Sequence, residues 1–224
     1  MNKVIYIFAG PSLYGLNIDT VNNNDICWLP PVKRGDILRL TENREPGVIG
    51  LADGTFHSYP SVSHVELREA MKTGWVIYGL CSMGAIRVSE MHHMGMRPWG
   101  KVAKMFCDDA DFADDEVTLI HSTEEPYIPL SEPMVHIREF CTQAYLKNWL
   151  NQHQLEMITK NLRERWYGER TLSLLSETIL HQLGLEKLPI EINQALTNFQ
   201  EYRLKQMDLY DFVVNRPWEK LENE

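Results

Sequence analysis

The segment Cys81-Ser82-Met83-Gly84 carries the residue types that act on acyl groups or bind anions. It interrupts an apolar run from Trp75 to Leu80, and a helical pattern follows it. At such a strand-to-helix turn, the free N–H groups and the positive dipole end of the helix point toward the turn. Ser82 could therefore act as a nucleophile or bind an anion, with the N–H groups of Met83 and Gly84 as oxyanion donors. The alternative is that Ser82 only caps the helix.

Cys81, the neighbour of Ser82, is a second candidate nucleophile. A thiol near a helix N-terminus can have a lowered pKa, which favours sulfur chemistry. A small buried cysteine at a strand end is nevertheless the more common arrangement, and we favour that structural interpretation. The spacing Gly79-x-x-Ser82-x-Gly84 differs by one residue from the Gly-x-Ser-x-Gly nucleophile elbow.

Residues near the second predicted strand could act as the base for such a nucleophile or as the acid that orients this base. His64 follows Ser63 at a predicted helix start, where a neutral imidazole could act as a base or a hydrogen-bond donor. Asp53 could orient a catalytic histidine, or it could form the turn that Asp-Gly favours. His57 is a weaker candidate of the same kind. On the helix after Ser82, we predict an ion pair between Arg87 and Glu90 that supports the site.

An acidic run extends from Asp108 to Glu116 without a basic residue. Asp115 and Glu116 in this run could support a site, since carboxylates hold divalent cations or contact basic partners. A solvated loop is the more common role of such a run. The four cysteines are widely separated and form no Cys-x-x-Cys pair, so we predict no metal site and no cofactor.

Four short, continuously apolar segments have the composition of strands that are covered on both faces. Capping-box residues Ser63 and Glu66, with Gly74 at the far end, predict a helix between the second and third strands. A second helix is predicted from Ala85 to Met94, ending at Gly95. This alternation predicts an α/β fold: a Rossmann-like parallel sheet with helices on both faces. The four predicted strands are Val4 to Ala9, Val48 to Ala52, Trp75 to Leu80 and Val117 to Ile120.

Ligands of parallel sheets bind at the carboxyl ends of the strands. Gly10 and Ser12 follow the first predicted strand and are candidate anion-binding residues. Asp53 follows the second strand and Ser82 the third. Because these strand ends share one edge of the sheet, we expect the four residues to lie close together.

The chain is predicted to have two regions. Residues 1–130 form the α/β core, and residues 131–224 form a helical C-terminal region packed on that core. The second region begins at Ser131 and Pro133 and continues with helical spacing of apolar residues. Gly184 and Pro189 are predicted to mark breaks between its helices.

Composition narrows the classes of partner. The formal net charge of −9 argues against nucleic acid, whose phosphates require clustered lysine and arginine. The apolar runs are too short to cross a membrane. The absence of a disulfide framework favours a reducing compartment, so we expect a cytoplasmic protein.

Seven ordered stretches together resemble the TfuA-like family. They are "FAGPS", "PPVKRGDIL", "IGLADGTF", "SHVELREAM", "GLCSMGAIRVSEM", "DFADDEV" and "PLSEPMVHIR", and "LKQMD" at Lys205 is a fainter continuation. Where the family commonly has Trp-His-Lys-Glu, this chain retains His64 and Glu66 but has Ser63 and Val65. The family usually has alanine at the position of Cys81.

The resemblance implies a function in sulfur transfer. TfuA-like proteins accompany YcaO enzymes, which introduce thioamides into the backbone of ribosomal peptides. The implied role is to take sulfur from the C-terminal thiocarboxylate of a ThiS-like carrier protein and pass sulfide to the YcaO partner, with the substrate peptide as a further partner. Ser82 would be the nucleophile, His64 the base and Asp53 its orienter. The alternatives are a non-catalytic adaptor that binds carrier and YcaO enzyme, and a general serine hydrolase of small esters.

Overall fold

The computed structural model describes residues 4–17, 25–42, 44–56 and 59–223. Their contacts divide the chain into two compact units. Unit 1 comprises Met1–Phe112 and Lys205–Glu224, and unit 2 comprises Ala113–Leu204. In the described part of the chain, no helix has both the length and the hydrophobicity that a bilayer span requires.

Unit 1 is built on an all-parallel sheet of five strands with helices around it. The strands are β1 (Ile5–Phe8), β2 (Ile26–Leu29), β3 (Val48–Leu51), β4 (Val76–Gly79) and β5 (Arg97–Pro98). Their order is β2-β1-β3-β4-β5, which is the doubly wound order of flavodoxin-like proteins. The predicted α/β fold is confirmed, and the strand order reverses direction between β1 and β3.

Three of the four predicted strands are confirmed, as β1, β3 and β4. The strand predicted at Val117 to Ile120 is wrong. Its backbone is engaged by a local turn, since the N–H groups of Val117 and Thr118 donate to Asp114 and Asp115 carbonyls, and the Ile120 N–H donates to Ser131 Oγ. Because these backbone N–H groups already donate within a turn or to a side chain, they cannot also pair with a neighbouring strand.

Between β2 and Phe112, the described residues of unit 1 form four α-helices. They are α1 (Asp36–Thr41), α2 (His64–Lys72), α3 (Met83–Met91) and α4 (Lys101–Asp108). The predicted capping box of α2 is present, with Ser63 and Glu66 bonded reciprocally. The predicted helix after Ser82 is present as α3, and it continues as a 3₁₀ turn over His92–Met94 until Gly95 at φ 106°.

Unit 2 is helical, with α5 (Met134–Leu146), α6 (Gln152–Arg163), α7 (Leu172–Leu183) and α8 (Ile190–Thr197). Its core is apolar, and Phe140 packs against Phe199 and Tyr202 with ring centroids 5.7 and 5.1 Å apart. The predicted breaks are present, because Gly184 ends α7 in the left-handed region and Pro189 precedes α8.

The last helix, α9 (Leu204–Asn215), lies almost entirely in unit 1. Phe212 of α9 packs on one face of the sheet, where its ring centroid is 5.2 Å from that of Tyr78. Gly50 in β3 leaves room for it, since a Cβ there would lie 3.2 Å from the Phe212 ring. Gly79 faces Val88 of α3. By their contacts, residues 205–224 belong to the unit that contains the sheet.

Candidate functional site

The reversal point between β1 and β3 is organised around the buried carboxylate of Asp53. Asp53 Oδ2 accepts hydrogen bonds from the N–H groups of Gly10 and Ser12 at 2.9 and 2.8 Å. The Ser12 hydroxyl donates to Asp53 Oδ1 at 2.8 Å. The strand ends therefore meet at one edge of the sheet, as expected. The anion that Gly10 and Ser12 bind is the protein's own Asp53, which corrects their expected role toward an external anion.

Lys205, the second residue of α9, is the cation beside this carboxylate. Its Nζ lies 3.6 Å from Asp53 Oδ1, and its side chain is 1% exposed. Burying a charge is costly unless an opposite charge compensates it, so this pair ties α9 to the carboxyl edge of the sheet.

Cys81 connects the groups around Asp53 to Ser82, because its thiol contacts Ser12 and Ser82 is the next residue in the sequence. The Cys81 thiol donates to Ser12 Oγ at 3.6 Å, and its residue is fully buried. Burial raises the pKa of this thiol well above its usual range, and the Asp53 carboxylate raises it further. Cys81 is thus held as a neutral thiol, in agreement with its structural interpretation.

Ser82 has an unusual backbone conformation at the turn between β4 and α3. Its φ is 52° and its ψ is −128°, and its side chain makes no capping hydrogen bond with α3. For a non-glycine residue such a conformation costs about 1–3 kcal/mol and persists only where its surroundings enforce it. The helix-cap alternative for Ser82 therefore lacks its hydrogen bond. A strained serine at a sharp strand-to-helix turn is the geometry of a nucleophile elbow.

Two glycines make this turn sterically possible. A Cβ on Gly84 would lie 1.8 Å from the Leu51 carbonyl oxygen. A Cβ on Gly79 would lie 2.3 Å from the Gly84 carbonyl oxygen. Close approach of β3, β4 and the first turn of α3 thus requires glycine at both positions, although Gly79 is one residue further from Ser82 than in the common elbow pattern.

The two predicted oxyanion donors differ in availability. The Gly84 N–H already donates to the carbonyls of Ala52 and Cys81, at 3.2 and 3.0 Å. Its expected role as an oxyanion donor is corrected accordingly. The Met83 N–H has no acceptor among the residues that the structure describes. The N–H of the residue after the nucleophile is the donor that serine hydrolases use.

His64 belongs to a separate cluster on the surface of α2 and α3. His64 Nε2 is 2.8 Å from Glu90 Oε2, and the His64 side chain is 52% exposed. The same Glu90 oxygen accepts from Arg87 Nη1 at 2.8 Å, so the predicted Arg87–Glu90 pair is present. Glu90 follows Ser82 by eight residues, which is roughly 12 Å along a helix.

This geometry changes the expected pairing of base and orienter. In the described part of the chain, the partners of the Asp53 carboxylate follow β1 or lie on α9, and His64 is not among them. Glu90 is the carboxylate that contacts His64. Glu66 holds the start of α2, where it accepts from the N–H groups of Ser63 and Gly35 at 2.7 and 2.9 Å. His57 lies outside the described residues.

Asp115 and Glu116 are engaged within unit 2. Asp115 Oδ2 accepts from Arg170 at 2.5 Å. The two oxygens of the buried Glu116 accept from Arg138, both at 2.8 Å. Over the described residues, no group of three or more metal-binding side chains comes together. Within this unit, both carboxylates have arginine partners.

Lys205 and Gln206 lie at this site, although their sequence pattern did not predict it. Gln206 Nε2 donates to the carbonyl of Pro11 at 3.4 Å, between the two residues that bind Asp53. The only signal was the "LKQMD" stretch, in which a lysine and a glutamine begin an otherwise apolar-faced helix. Nothing in that stretch indicates that its partners follow β1 and β3.

Comparison with known proteins agrees with the sequence resemblance. A family model described as TfuA-like protein matches residues 53–171, from the Asp53 carboxylate through the elbow at Ser82 and on to Thr171. No curated protein matches the chain. Because the matched residues make up more than half of the 224-residue chain, the protein belongs to the TfuA-like family.

Proposed function

We propose that this protein releases sulfide from the C-terminal thiocarboxylate of a ThiS-like carrier protein and supplies it to a YcaO enzyme for peptide thioamidation. The observation that carries the proposal is the backbone of Ser82, at φ 52° and ψ −128° between β4 and α3. Family membership supports the YcaO enzyme as partner. The four free thiols agree with action in a reducing cytoplasm.

The chemistry is acyl transfer in two steps. In the first, Ser82 Oγ bonds to the carbonyl carbon of the thiocarboxylate, the C–S bond breaks, and the hydroxyl proton leaves with sulfur as HS⁻. In the second, water cleaves the Ser82 ester, which restores the hydroxyl and leaves the carrier as a carboxylic acid that ionises. Sulfur stays at the same oxidation level throughout, so neither step requires an oxidant or a reductant.

The Met83 N–H is the donor that would stabilise the tetrahedral oxyanion. It follows the nucleophile directly and has no acceptor among the described residues. One such donor is typically worth a factor of about 10²–10³ in rate. In the first step the departing sulfur takes the proton of the hydroxyl, so a separate strong base is needed only when water attacks the ester.

Mass spectrometry of a thiocarboxylated carrier incubated with this protein alone tests the proposal, together with a sulfide assay. We expect the carrier to become its plain carboxylate while sulfide appears. Ser82→Ala should lower the rate at least 100-fold. Ser89→Ala is the matched control, because Ser89 lies on the same helix and its hydroxyl contacts only the Ile86 carbonyl in the described structure. Equal rates for the two variants would exclude Ser82 as the nucleophile.

The second candidate function is a non-catalytic adaptor that binds the carrier and the YcaO enzyme. The observation in its favour is the burial of Ser82, which is 2% exposed. An adaptor predicts that the carrier stays intact until the YcaO enzyme and its peptide are added. It also predicts that Ser82→Ala still stimulates the partner, whereas the hydrolase predicts loss of stimulation.

A further inference from the structure

Lys33 and Arg34 are exposed cations on the loop between β2 and α1, and neither has a carboxylate partner among the described residues. The carboxylates close to this loop are engaged elsewhere. Asp36 pairs with Arg39, and Glu66 accepts from backbone N–H groups at the start of α2. Although the whole chain has a net charge of −9, this part of its surface therefore presents positive charge to solvent.

An exposed aromatic ring adjoins the two cations. The Lys33 ammonium lies over the Tyr59 ring, 5.1 Å from its centroid, and Tyr59 is 59% exposed. The Arg34 N–H donates to the Pro60 carbonyl at 2.9 Å, so the loops that carry these residues are hydrogen-bonded to each other. Tyrosine and arginine are enriched in protein interfaces, where the ring supplies contact area and the guanidinium pairs with carboxylates. Lys33, Arg34 and Tyr59 are together called the basic rim.

The basic rim lies next to the turn that carries Ser82. Val32, which precedes Lys33, pairs with Gly54 in an isolated parallel bridge. Gly54 in turn separates Val32 from Met83, since a Cβ on Gly54 would lie 3.0 Å from the Val32 carbonyl oxygen and 2.7 Å from Met83 Cγ. Met83 follows Ser82 in the sequence. A protein bound at the basic rim is thus close to the proposed nucleophile.

The charges of the basic rim select the class of partner. Nucleic acids and other polyanions require many clustered cations, and the net charge of −9 repels them. Two cations beside an aromatic ring match a protein surface that has a few carboxylates next to an apolar contact. Among the partners of the proposed reaction, the carrier is the protein whose tail must reach Ser82. Its position next to Ser82 therefore favours the carrier as the partner of the basic rim.

We propose that the basic rim binds an acidic patch on the folded body of the ThiS-like carrier, so that the C-terminal tail of the carrier extends toward Ser82. Lys33 and Arg34 pair with carboxylates of the carrier, and the Tyr59 ring packs against its surface. Such complementary charges speed association and fix the orientation of the bound protein. This inference rests on the proposed function, because it takes the carrier as the partner, and the adaptor alternative requires the same contact.

Binding of a carrier that ends in an ordinary carboxylate tests the inference without sulfide release. The measurement is the Kd by isothermal titration calorimetry, in about 50 mM and about 500 mM sodium chloride. At low salt, we expect the double variant Lys33→Glu, Arg34→Glu to bind at least about 10-fold more weakly, and Tyr59→Ala at least about 3-fold more weakly. Salt should weaken binding by the natural protein but not by the double variant, whose reversed charges no longer attract the carrier.

The matched control is the double variant Lys160→Glu, Lys187→Glu. It changes the net charge by the same amount at exposed positions of unit 2. It should bind the carrier as the natural protein does, because the effect depends on the position of the charges and not on their sum. Both double variants should melt at the temperature of the natural protein, since all four positions are exposed.

Cross-linking identifies the contact on the carrier. A carbodiimide joins an amine directly to a carboxylate, so it should join the Lys33 amine to a carboxylate of the carrier, and mass spectrometry locates the bond. Replacement of that carboxylate by lysine should weaken binding to the natural protein. The same carrier variant should bind the double variant Lys33→Glu, Arg34→Glu at least about 5-fold more tightly than the original carrier does, because the opposite charges meet again.

Two results would overturn the basic rim: binding by its double variant within about twofold of the natural protein, or an equal loss in the control variant. Binding of a single-stranded oligonucleotide as tight as that of the carrier would identify a polyanion site instead. Failure of the two proposals is distinguishable. Carrier binding that depends on the basic rim, without sulfide release, would leave the rim and remove the hydrolase. Sulfide release at an unchanged KM by the double variant would leave the hydrolase and remove the rim.

Discussion

Arg170 in unit 2 and Lys205 in unit 1 are both buried cations with a carboxylate partner, yet their surroundings differ. The Arg170 guanidinium donates to Asp115 Oδ2 at 2.5 Å and to backbone carbonyls that include those of Leu162 and Arg165. Lys205 Nζ lies 3.6 Å from Asp53 Oδ1. The neighbourhood of Lys205 also contains a strained serine and two polar groups, Met83 N–H and Gln206 Oε1, without partners in the described structure.

The two buried cations thus have different roles: Arg170 stabilises the fold of unit 2, and Lys205 belongs to the candidate site in unit 1. Fully hydrogen-bonded buried ions rigidify their surroundings, whereas strain and unsatisfied polar groups concentrate where a protein binds or reacts. Unit 2 thus uses its buried ion pairs as structure. At the carboxyl edge of the sheet in unit 1, by contrast, some polar groups have no hydrogen-bond partner in the described structure.

The titration of buried carboxylates shows the same contrast. In unit 2, burial alone would raise the pKa of Glu132, but His136 and Arg203 contact it and hold its pKa below the usual value. In unit 1, burial raises the pKa of Asp208 to about 6, despite hydrogen bonds from the N–H groups of Lys101 and Val102. Asp208 therefore caps α4 at an electrostatic cost that Glu132 does not bear.

Gly84→Ala tests the elbow with the largest expected effect. Its Cβ would lie 1.8 Å from the Leu51 carbonyl oxygen, and backbone cannot move aside as a side chain can. We expect unit 1 to lose at least about 4 kcal/mol of unfolding free energy or to fail to fold. Urea unfolding measures this. Gly184→Ala in unit 2 is the control, because it has the left-handed φ of 64° but no atom within 4 Å, and it should cost about 1 kcal/mol.

Arg170→Met tests whether the unit 2 cation is structural. The variant removes the hydrogen bonds that the buried guanidinium donates to the Asp115 carboxylate and to backbone carbonyls, so we expect a loss of at least about 2 kcal/mol in urea unfolding. Arg165→Met, at an exposed position, should cost less than about 0.5 kcal/mol. A loss below about 1 kcal/mol for Arg170→Met would contradict the contrast drawn between the two cations.

Asp208→Asn tests the electrostatic cost in unit 1. Between the ordinary pKa of 3.8 and about 6, the folded protein binds more protons at Asp208 than the unfolded chain does. Asp208 therefore makes stability fall as pH rises through this window, by about 3 kcal/mol in total, and contributes no further change above it.

The measurement is urea unfolding of the natural protein and Asp208→Asn from pH 4 to pH 7.5. The stability of the variant relative to the natural protein should increase by about 2 kcal/mol from pH 4 to pH 7.5, in the direction of higher pH. Asp111→Asn, at an exposed position, should show a flat difference. A flat difference for Asp208→Asn as well would mean that Asp208 is ionised without cost.

His64→Gln has the smallest expected effect. The His64–Glu90 pair is exposed and contributes little, so we expect less than about 0.5 kcal/mol in stability and less than a threefold change in sulfide release. The sulfide assay with the thiocarboxylated carrier gives the second value. A loss above 30-fold would restore His64 to the chemistry and require it to move toward Ser82.

The sequence by itself determined the elements whose signals are local. Apolar runs predicted β1, β3 and β4, the Ser63–Glu66 capping box predicted α2, and the break after Leu80 predicted the turn at Ser82. Each of these depends on residues a few positions apart, where side-chain periodicity and capping chemistry act. The strand predicted at Val117 is absent because its backbone N–H groups donate within a turn, which the amino-acid composition does not reveal.

Only the tertiary structure decided which residues meet. Neither β2 nor β5 was predicted. β5 has only two residues, Arg97 and Pro98, and it becomes a strand by pairing with β4, while the apolar β2 pairs with β1. Gln206 and Pro11 are 195 positions apart, so no local pattern could join them. The sequence around Asp53 is compatible with two roles, a turn and an acid that orients a histidine. The return of α9 to the sheet brings Lys205 against Asp53, because a buried carboxylate requires compensating charge and donors wherever the chain supplies them.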